Sequence, residues 1–334
     1  MLQGRRTWRF ENSPRIISVG TAVGPKEGKG PLGDSFDVVH GDIRLGQNSW
    51  ENAERVLMEE AGDRALQKKG LVKEQVEFYI AGDLMNQVIT SSFAARTFAA
   101  PYLGIYGACS TSMEGLALAA LLVNSQSAEL VLTGTASHNA AAERLYRYPT
   151  EYGAQKPPTA QWTVTGAGAA LVGRDGEGPK ITAATIGRII DMGVKDPFNM
   201  GAAMAPAAFD TIEAHLRDLN VETDYYDIIA TGDLGRLGSD ILRDLWQKHG
   251  VRVAAGQHQD CGVLIYGDDP SVFSGGSGAA CSAVVTYGHL LARLAAGEWN
   301  RILIVATGAL LSTLSYQQGE SIPCIAHAVA IERA

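Results

Sequence analysis

Ile105-Tyr106-Gly107-Ala108-Cys109-Ser110-Thr111-Ser112-Met113-Glu114 is the stretch on which the fold turns. An apolar pair, two small residues, a cysteine and two hydroxyl residues lead into a small-residue run ending at Val123, the pattern of strand, tight junction and helix. Thr111 and Glu114 have the spacing of a capping box opening that helix. A thiol placed there faces the positive end of the helix dipole and free backbone N–H groups, conditions that lower its pKa and create an anion site. Cys109 is therefore either a reactive or anion-site residue or a small buried core residue, and position alone leaves both readings open.

Outward from this junction, short β-branched runs at 78–81, 130–133, 228–230 and 301–306 alternate with helical patterns at 49–69, 207–219, 239–249 and 280–296. The alternation predicts an α/β architecture. Ser49, Asp210 and Ser239 stand near helix starts, and Gly70, Gly250 and Gly297 just past helix ends. Four local patterns of the first half recur in the same order in the second. Ala81-Gly82-Asp83-Leu84 returns as Thr231-Gly232-Asp233-Leu234, and Gly107-Ala108-Cys109-Ser110 as Ala279-Ala280-Cys281-Ser282. Leu132-Thr133-Gly134-Thr135 returns as Ala306-Thr307-Gly308-Ala309, and the strands near 168–172 and 328–332 follow in turn. The chain reads as a duplication with halves 1–175 and 176–334, divided where Gly173, Gly176, Gly178 and Pro179 interrupt the pattern. A Pro- and Tyr-rich connection at 146–161 reads as an ordered cover.

Composition narrows the function classes. Over 334 residues, 28 Lys and Arg face 36 Asp and Glu for a net charge of −8, with no basic block to grip a phosphate backbone, so nucleic acid is not an expected partner. The N-terminus lacks the apolar core of a signal peptide. The apolar stretches at 115–123 and 302–311 are too short to cross a bilayer, so any membrane role is expected to be peripheral. Cys109, Cys261, Cys281 and Cys324 stand far apart, which supports neither a zinc site nor a disulfide framework, and no metal site is expected.

The duplicated halves, the Gly-Ala-Cys-Ser-Thr junction and the strand Thr165-Gly166-Ala167-Gly168-Ala169 resemble the thiolase and ketoacyl synthase superfamily. The resemblance implies a five-layered αβαβα sandwich of two similar halves, usually dimeric, with an acylated cysteine at the junction. Ala22-Val23-Gly24-Pro25-Lys26-Glu27, the Cys109 junction, Arg147-Tyr148-Pro149-Thr150-Glu151-Tyr152-Gly153, Met204-Ala205-Pro206-Ala207-Ala208 and His258-Gln259-Asp260-Cys261-Gly262 are similar, more closely, to the stage V sporulation protein AD family of endospore-forming bacteria. That likeness runs from about Thr7 to Ala334. It implies a protein that binds dipicolinic acid (pyridine-2,6-dicarboxylate), alone or as its calcium chelate, for uptake into the developing spore. It also implies a peripheral place on the cytoplasmic side of the spore inner membrane, beside integral membrane proteins of the same operon. No cofactor follows from it, calcium entering only with the ligand.

Claisen chemistry on a thioester needs two proton-transfer groups from the second half besides the cysteine. In the resembling enzymes one is a His in an Ala-His-Gly-Thr pattern, where this chain has Ala230-Thr231-Gly232-Asp233. The other precedes the Gly278-Ala279-Ala280 helix start, at Ser274, Gly275 or Gly276, and no His or Asn occurs between Asp260 and Gly288. The resemblance therefore implies a pseudoenzyme with no catalytic residues. His138, closing the 130–135 strand, is either a crevice residue or a surface-loop histidine. The expected ligand set is Cys109, His138, Glu143, Arg144, Arg147, Tyr148, Asp83, Thr231, Gly275 and Gly276, with arginine and a helix N-terminus facing a planar dianion and tyrosine forming a flat wall. The rival readings are an acyltransferase or hydrolase using Cys109 with His138 as base, and a purely structural partner of a membrane channel.

Overall fold

The computed structural model describes residues 1–146 and 156–334. Five strands of the first half are β1 (Arg15–Val23), β2 (Phe78–Gly82), β3 (Tyr102–Gly104), β4 (Leu130–Ser137) and β5 (Gly166–Gly173). Five of the second are β6 (Lys180–Thr185), β7 (Ile228–Thr231), β8 (His258–Asp260), β9 (Arg301–Ala309) and β10 (Cys324–Glu332). Their spatial order is β8-β7-β9-β10-β6-β1-β5-β4-β2-β3. Adding five to each label of β1-β5-β4-β2-β3 gives β6-β10-β9-β7-β8, so the second half repeats the first about a pseudo-twofold axis. At that axis β6 and β1 share only the pair Lys180 and Arg15, and the short strand Thr7–Arg9 takes over the rest of that edge of β6, pairing with Ala183–Thr185 opposite β10.

Alternation along each strand builds the layers, because strands covered on both faces carry apolar side chains in both directions. Val131, Val172, Ile302 and Ile304 point into a central layer with Leu116, Ala120 and Val123 of α3 (Thr111–Asn124) and Ala280 and Val284 of α7 (Ala279–Val284). Leu132 and Leu171 point the other way, onto Leu57, Met58 and Ala61 of α1 (Trp50–Gln67), with Phe98 of α2 (Ile89–Phe98) beside them. Leu303 and Val305 meet Met204, Ala208 and Ile212 of α5 (Met200–Leu219) and Leu242 and Trp246 of α6 (Gly235–Lys248). The result is the αβαβα sandwich.

Local readings held where a single residue type decides them. Ser49 caps α1 by accepting from the Asn52 N–H, and Gly70, Gly250 and Gly297 end their helices at positive φ. Four expectations need correction. The strand before Cys109 is Tyr102–Gly104 rather than Ile105-Tyr106, since Ile105 makes the last backbone bond, to Ala81, as the chain leaves the sheet. Asp210 and Ser239 lie inside α5 and α6 instead of at their starts. Pro206 masks the true start of α5, because its ring is accommodated among alanines inside the helix. The capping box is absent: Thr111 Oγ1 donates back to the Ala108 carbonyl, and Glu114 Oε2 has no partner.

Candidate functional site

Cys109 sits on a single tight turn, Ala108–Ser110, that precedes α3. Ala108 is held at φ +50°, a left-handed conformation that a residue with a side chain adopts at a cost. The turn is braced from within. Ser110 Oγ donates to the Gly107 carbonyl at 2.6 Å, and Thr111 Oγ1 accepts from the Gly107 N–H at 3.1 Å. The second half presses against it, since a Cβ on Gly308 of β9 would fall 2.2 Å from the Gly107 oxygen.

The group facing the thiol is Asp233, which the sequence reading passed over. Its buried carboxylate accepts from Thr307 Oγ1 at 2.7 Å, from the Gly278 N–H at 3.1 Å and from the Cys109 thiol. Burial nevertheless pushes the carboxyl up to about 7, the three hydrogen bonds opposing the rise. A signal was present in the repeat of Asp83 as Asp233, but the likeness to Ala-His-Gly-Thr drew attention to Thr231 instead. Thr231 points elsewhere: its hydroxyl donates to Asp260 at 2.7 Å and lies 3.0 Å from His258 Nε2. The Asp260 carboxyl, raised to about 6 by burial, also accepts the N–H groups of Leu234, Gly235 and Val263. Burial lowers His258 to about 4.

Cys109 forms the floor of a narrow cleft with Ser277 and Gly278, walled by Leu84, Tyr106, Ala142, Tyr146, Met200 and Leu311. The cleft encloses about 450 Å³ with its open mouth. Tyr146 donates its hydroxyl to the Leu84 carbonyl and stands 3.4 Å from the Tyr106 hydroxyl. Among the described residues no charged side chain lines the cleft.

Of the described members of the expected ligand set, Cys109 alone lines this cleft. His138 is fully buried, stacked at 5.3 Å on Trp50, with Nε2 donating to the Ile43 carbonyl and Nδ1 accepting from the Ala140 N–H. Both ring nitrogens are committed, and burial lowers its pKa, so it is a packing residue rather than a crevice base. Asp83 holds its own turn by accepting from Met85 and Ser91. Glu143 is paired with Lys156 at 2.9 Å, and Arg144 with Glu51. Gly275 and Gly276 lie just short of the floor, where Gly276–Ser277 pairs with Trp162–Thr163 in a two-stranded ribbon between the halves. Arg147, Tyr148 and Tyr152 lie outside the described residues. Among those described, no helix is long and apolar enough to cross a membrane and no cluster of three His, Cys, Asp or Glu side chains is placed to hold a metal.

Comparison with known proteins gives a consistent picture. Residues 4–332 match the family model described as Stage V sporulation protein AD. The chain is 52% identical over 333 residues to Stage V sporulation protein AD of Bacillus subtilis (strain 168), covering 100% of this chain and 98% of that protein. Among solved structures, 3-oxoacyl-(acyl-carrier-protein) synthase III from Aquifex aeolicus VF5 is similar with a TM-score of 0.59 at 14% identity, covering 96% of this chain and 100% of that one. Cerulenin-bound OleA of Xanthomonas campestris is similar with a TM-score of 0.65 at 14% identity, covering 97% and 100%. At such identities the structural likeness speaks for the thiolase-like fold.

Proposed function

Given that the chain belongs to the stage V sporulation protein AD family, we propose that this sporulation protein is a non-catalytic thiolase-like binder of dipicolinic acid, taken as the calcium chelate, for uptake into the developing spore. The observation that carries the choice of chelate is the apolar cleft over Cys109, with no cationic side chain among its described lining residues. Free dipicolinate is a dianion, and a buried dianion requires paired cations and hydrogen bonds. Its one-to-one calcium complex carries no net charge and removes that requirement. The non-catalytic part of the reading rests on Thr231, whose hydroxyl is committed to Asp260, and on a 261–287 segment without His or Asn.

The protein would work as a homodimer, peripheral to the cytoplasmic side of the spore inner membrane, with integral membrane proteins of the same operon as partners. A dimer is supported by the open edge of β3, where Leu103 is 45% exposed and Ile89 and Phe93 of the neighbouring α2 are each 41% exposed.

Calorimetry with the chelate, free dipicolinate and acetyl-CoA tests the function. Tightest binding of the chelate, reduced at least about tenfold by Met200→Trp in the cleft wall, is expected. Equal affinity for free dipicolinate would remove the charge argument. A second reading has one observation in its favour, the Cys109 and Asp233 hydrogen bond, which supplies a proton acceptor for acyl transfer to the thiol. Release of free coenzyme A from acetyl-CoA, lost in Asp233→Asn, would establish that reading instead.

A further inference from the structure

A second cavity lies against α3, reaching Glu114 in its first turn, and plays no part in the cleft just described. With its open mouth it encloses about 740 Å³, and the side chains of Trp8, Leu118 and Ile186 form its apolar walls. The polar groups that converge on it are Arg5, Glu114 and His327, while Arg6 at its rim is committed to Asp210 at 2.7 Å.

The protons on these groups can be placed. The Gly187 N–H donates to His327 Nδ1 at 3.3 Å, so the neutral ring carries its own proton on Nε2. His327 is only 4% exposed, and burial lowers its pKa to about 4, which keeps the ring neutral near pH 7. Glu114 Oε2 is buried without a hydrogen-bond partner, and burial pushes that carboxyl up to about 7, so its protonated form is well populated at neutral pH. Arg5 makes no ion pair among the described residues. An imidazole N–H and a solvent-exposed guanidinium thus border one open, largely apolar pocket without an acceptor among the described residues, while the buried Oε2 of Glu114 is turned toward Gly107 of the Cys109 turn.

We propose that this cavity is a binding site for an amphipathic monocarboxylate, with its carboxylate accepting from Arg5 and His327 Nε2 and its apolar body lying against Trp8, Leu118 and Ile186. The site opens where the N-terminal segment meets α3 and is independent of the cleft over Cys109. A tetrahedral oxyanion such as phosphate would leave the apolar walls unused, and a neutral aromatic would leave the donors unpaired.

The test uses the full chain, with benzoate as probe and benzyl alcohol as its uncharged counterpart, followed by calorimetry. Saturable benzoate binding is expected, with benzyl alcohol at least about tenfold weaker. Arg5→Ala, an exposed substitution with little consequence for folding, should weaken benzoate about tenfold, and Leu118→Trp, which fills the chamber, should abolish binding in a chain whose circular dichroism is unchanged. Met200→Trp in the other cleft should leave benzoate affinity unaltered. Absence of benzoate binding, equal affinity for the two probes, wild-type affinity in Arg5→Ala and Leu118→Trp, or loss of binding in Met200→Trp would each overturn the proposal.

Discussion

Cys109, from the first half of the chain, donates its thiol proton to the carboxylate of Asp233, from the second. Thr307 and the Gly278 N–H hold the same carboxylate, so the thiol is tied to β9 and to the start of α7. The cleft floor is therefore a polar knot spanning the pseudo-twofold axis beneath apolar walls.

The pH dependence of stability follows from the Asp233 carboxyl. Its folded pKa, about 7, lies above the ordinary aspartate value of 3.8, so the folded chain holds this proton more tightly than the unfolded chain does. The associated stability is full below about pH 4 and is lost as pH rises through 7, at no more than about 1.4 kcal/mol per pH unit. Asp260, raised to about 6, acts with the same sign over a narrower window. The buried His215, His258 and His327, lowered by burial, act with the opposite sign over the same range and are common to both chains. The expected outcome is therefore a difference: between about pH 4 and 7 the urea midpoint of Asp233→Asn should lose less, or gain more, than that of the wild type. A variant profile as steep as the wild type's would refute the assignment.

Glu54 of α1 is fully buried with both carboxyl oxygens unpartnered, and burial raises its pKa well above the ordinary range. Replacing an unsatisfied buried acid with an apolar side chain of similar length removes a desolvation penalty. Glu54→Met should stabilise the protein by about 1 to 3 kcal/mol, seen as a higher thermal midpoint. A lower midpoint would mean that the carboxyl makes a stabilising interaction.

Gly308→Ala tests the contact between β9 and the Cys109 turn. The added methyl would meet the backbone oxygen of Gly107, which is unable to rotate away as a flexible side chain would. Destabilisation of about 1 to 3 kcal/mol and loss of chelate binding are expected together, because the displaced turn carries the cleft floor. Unchanged chelate affinity in calorimetry would show that the floor tolerates displacement.

His138→Ala separates packing from binding. With both ring nitrogens bonded to backbone and the ring stacked on Trp50, the substitution should cost about 2 to 4 kcal/mol in urea unfolding while chelate affinity changes less than about twofold. Affinity falling without loss of stability would restore the histidine to the ligand set.

The architecture was legible because it rests on redundant signals. The repeated Asp83 and Asp233 fall just past β2 and β7, and Cys109 and Cys281 near the starts of α3 and α7, whereas the Gly134 and Gly308 likeness is three residues out of register, since Gly134 pairs with Ala81 where Val305 pairs with Thr231. The cleft was less legible because its members come from distant segments. Met200 and Leu311 arrive from the start of α5 and the end of β9, and nothing in their local sequence distinguishes them from core residues. His138 and Arg144 lie off the described cleft for a related reason. Both follow a strand end, where ligands commonly bind, but the Ile43 carbonyl and the Glu51 carboxylate that engage them come from a remote loop and helix. Asp233 was visible as a repeat, yet only the approach of the two halves puts it beside a thiol.

Two identical chains related by a true twofold axis would have to carry the same residues at both of their clefts. Joining the copies in one polypeptide lifts that restriction, since a substitution in one is no longer imposed on the other. Among the described residues Asp83 bonds only to Met85 and Ser91 of its own half, whereas Asp233 reaches across the axis. Cys109 lines an open cleft, whereas Cys281 is sealed, its thiol donating to the Gly232 carbonyl at 3.3 Å. Covalent fusion has thus allowed one copy to keep a mouth while the other became its foundation, and further divergence can proceed in the first without being copied into the second.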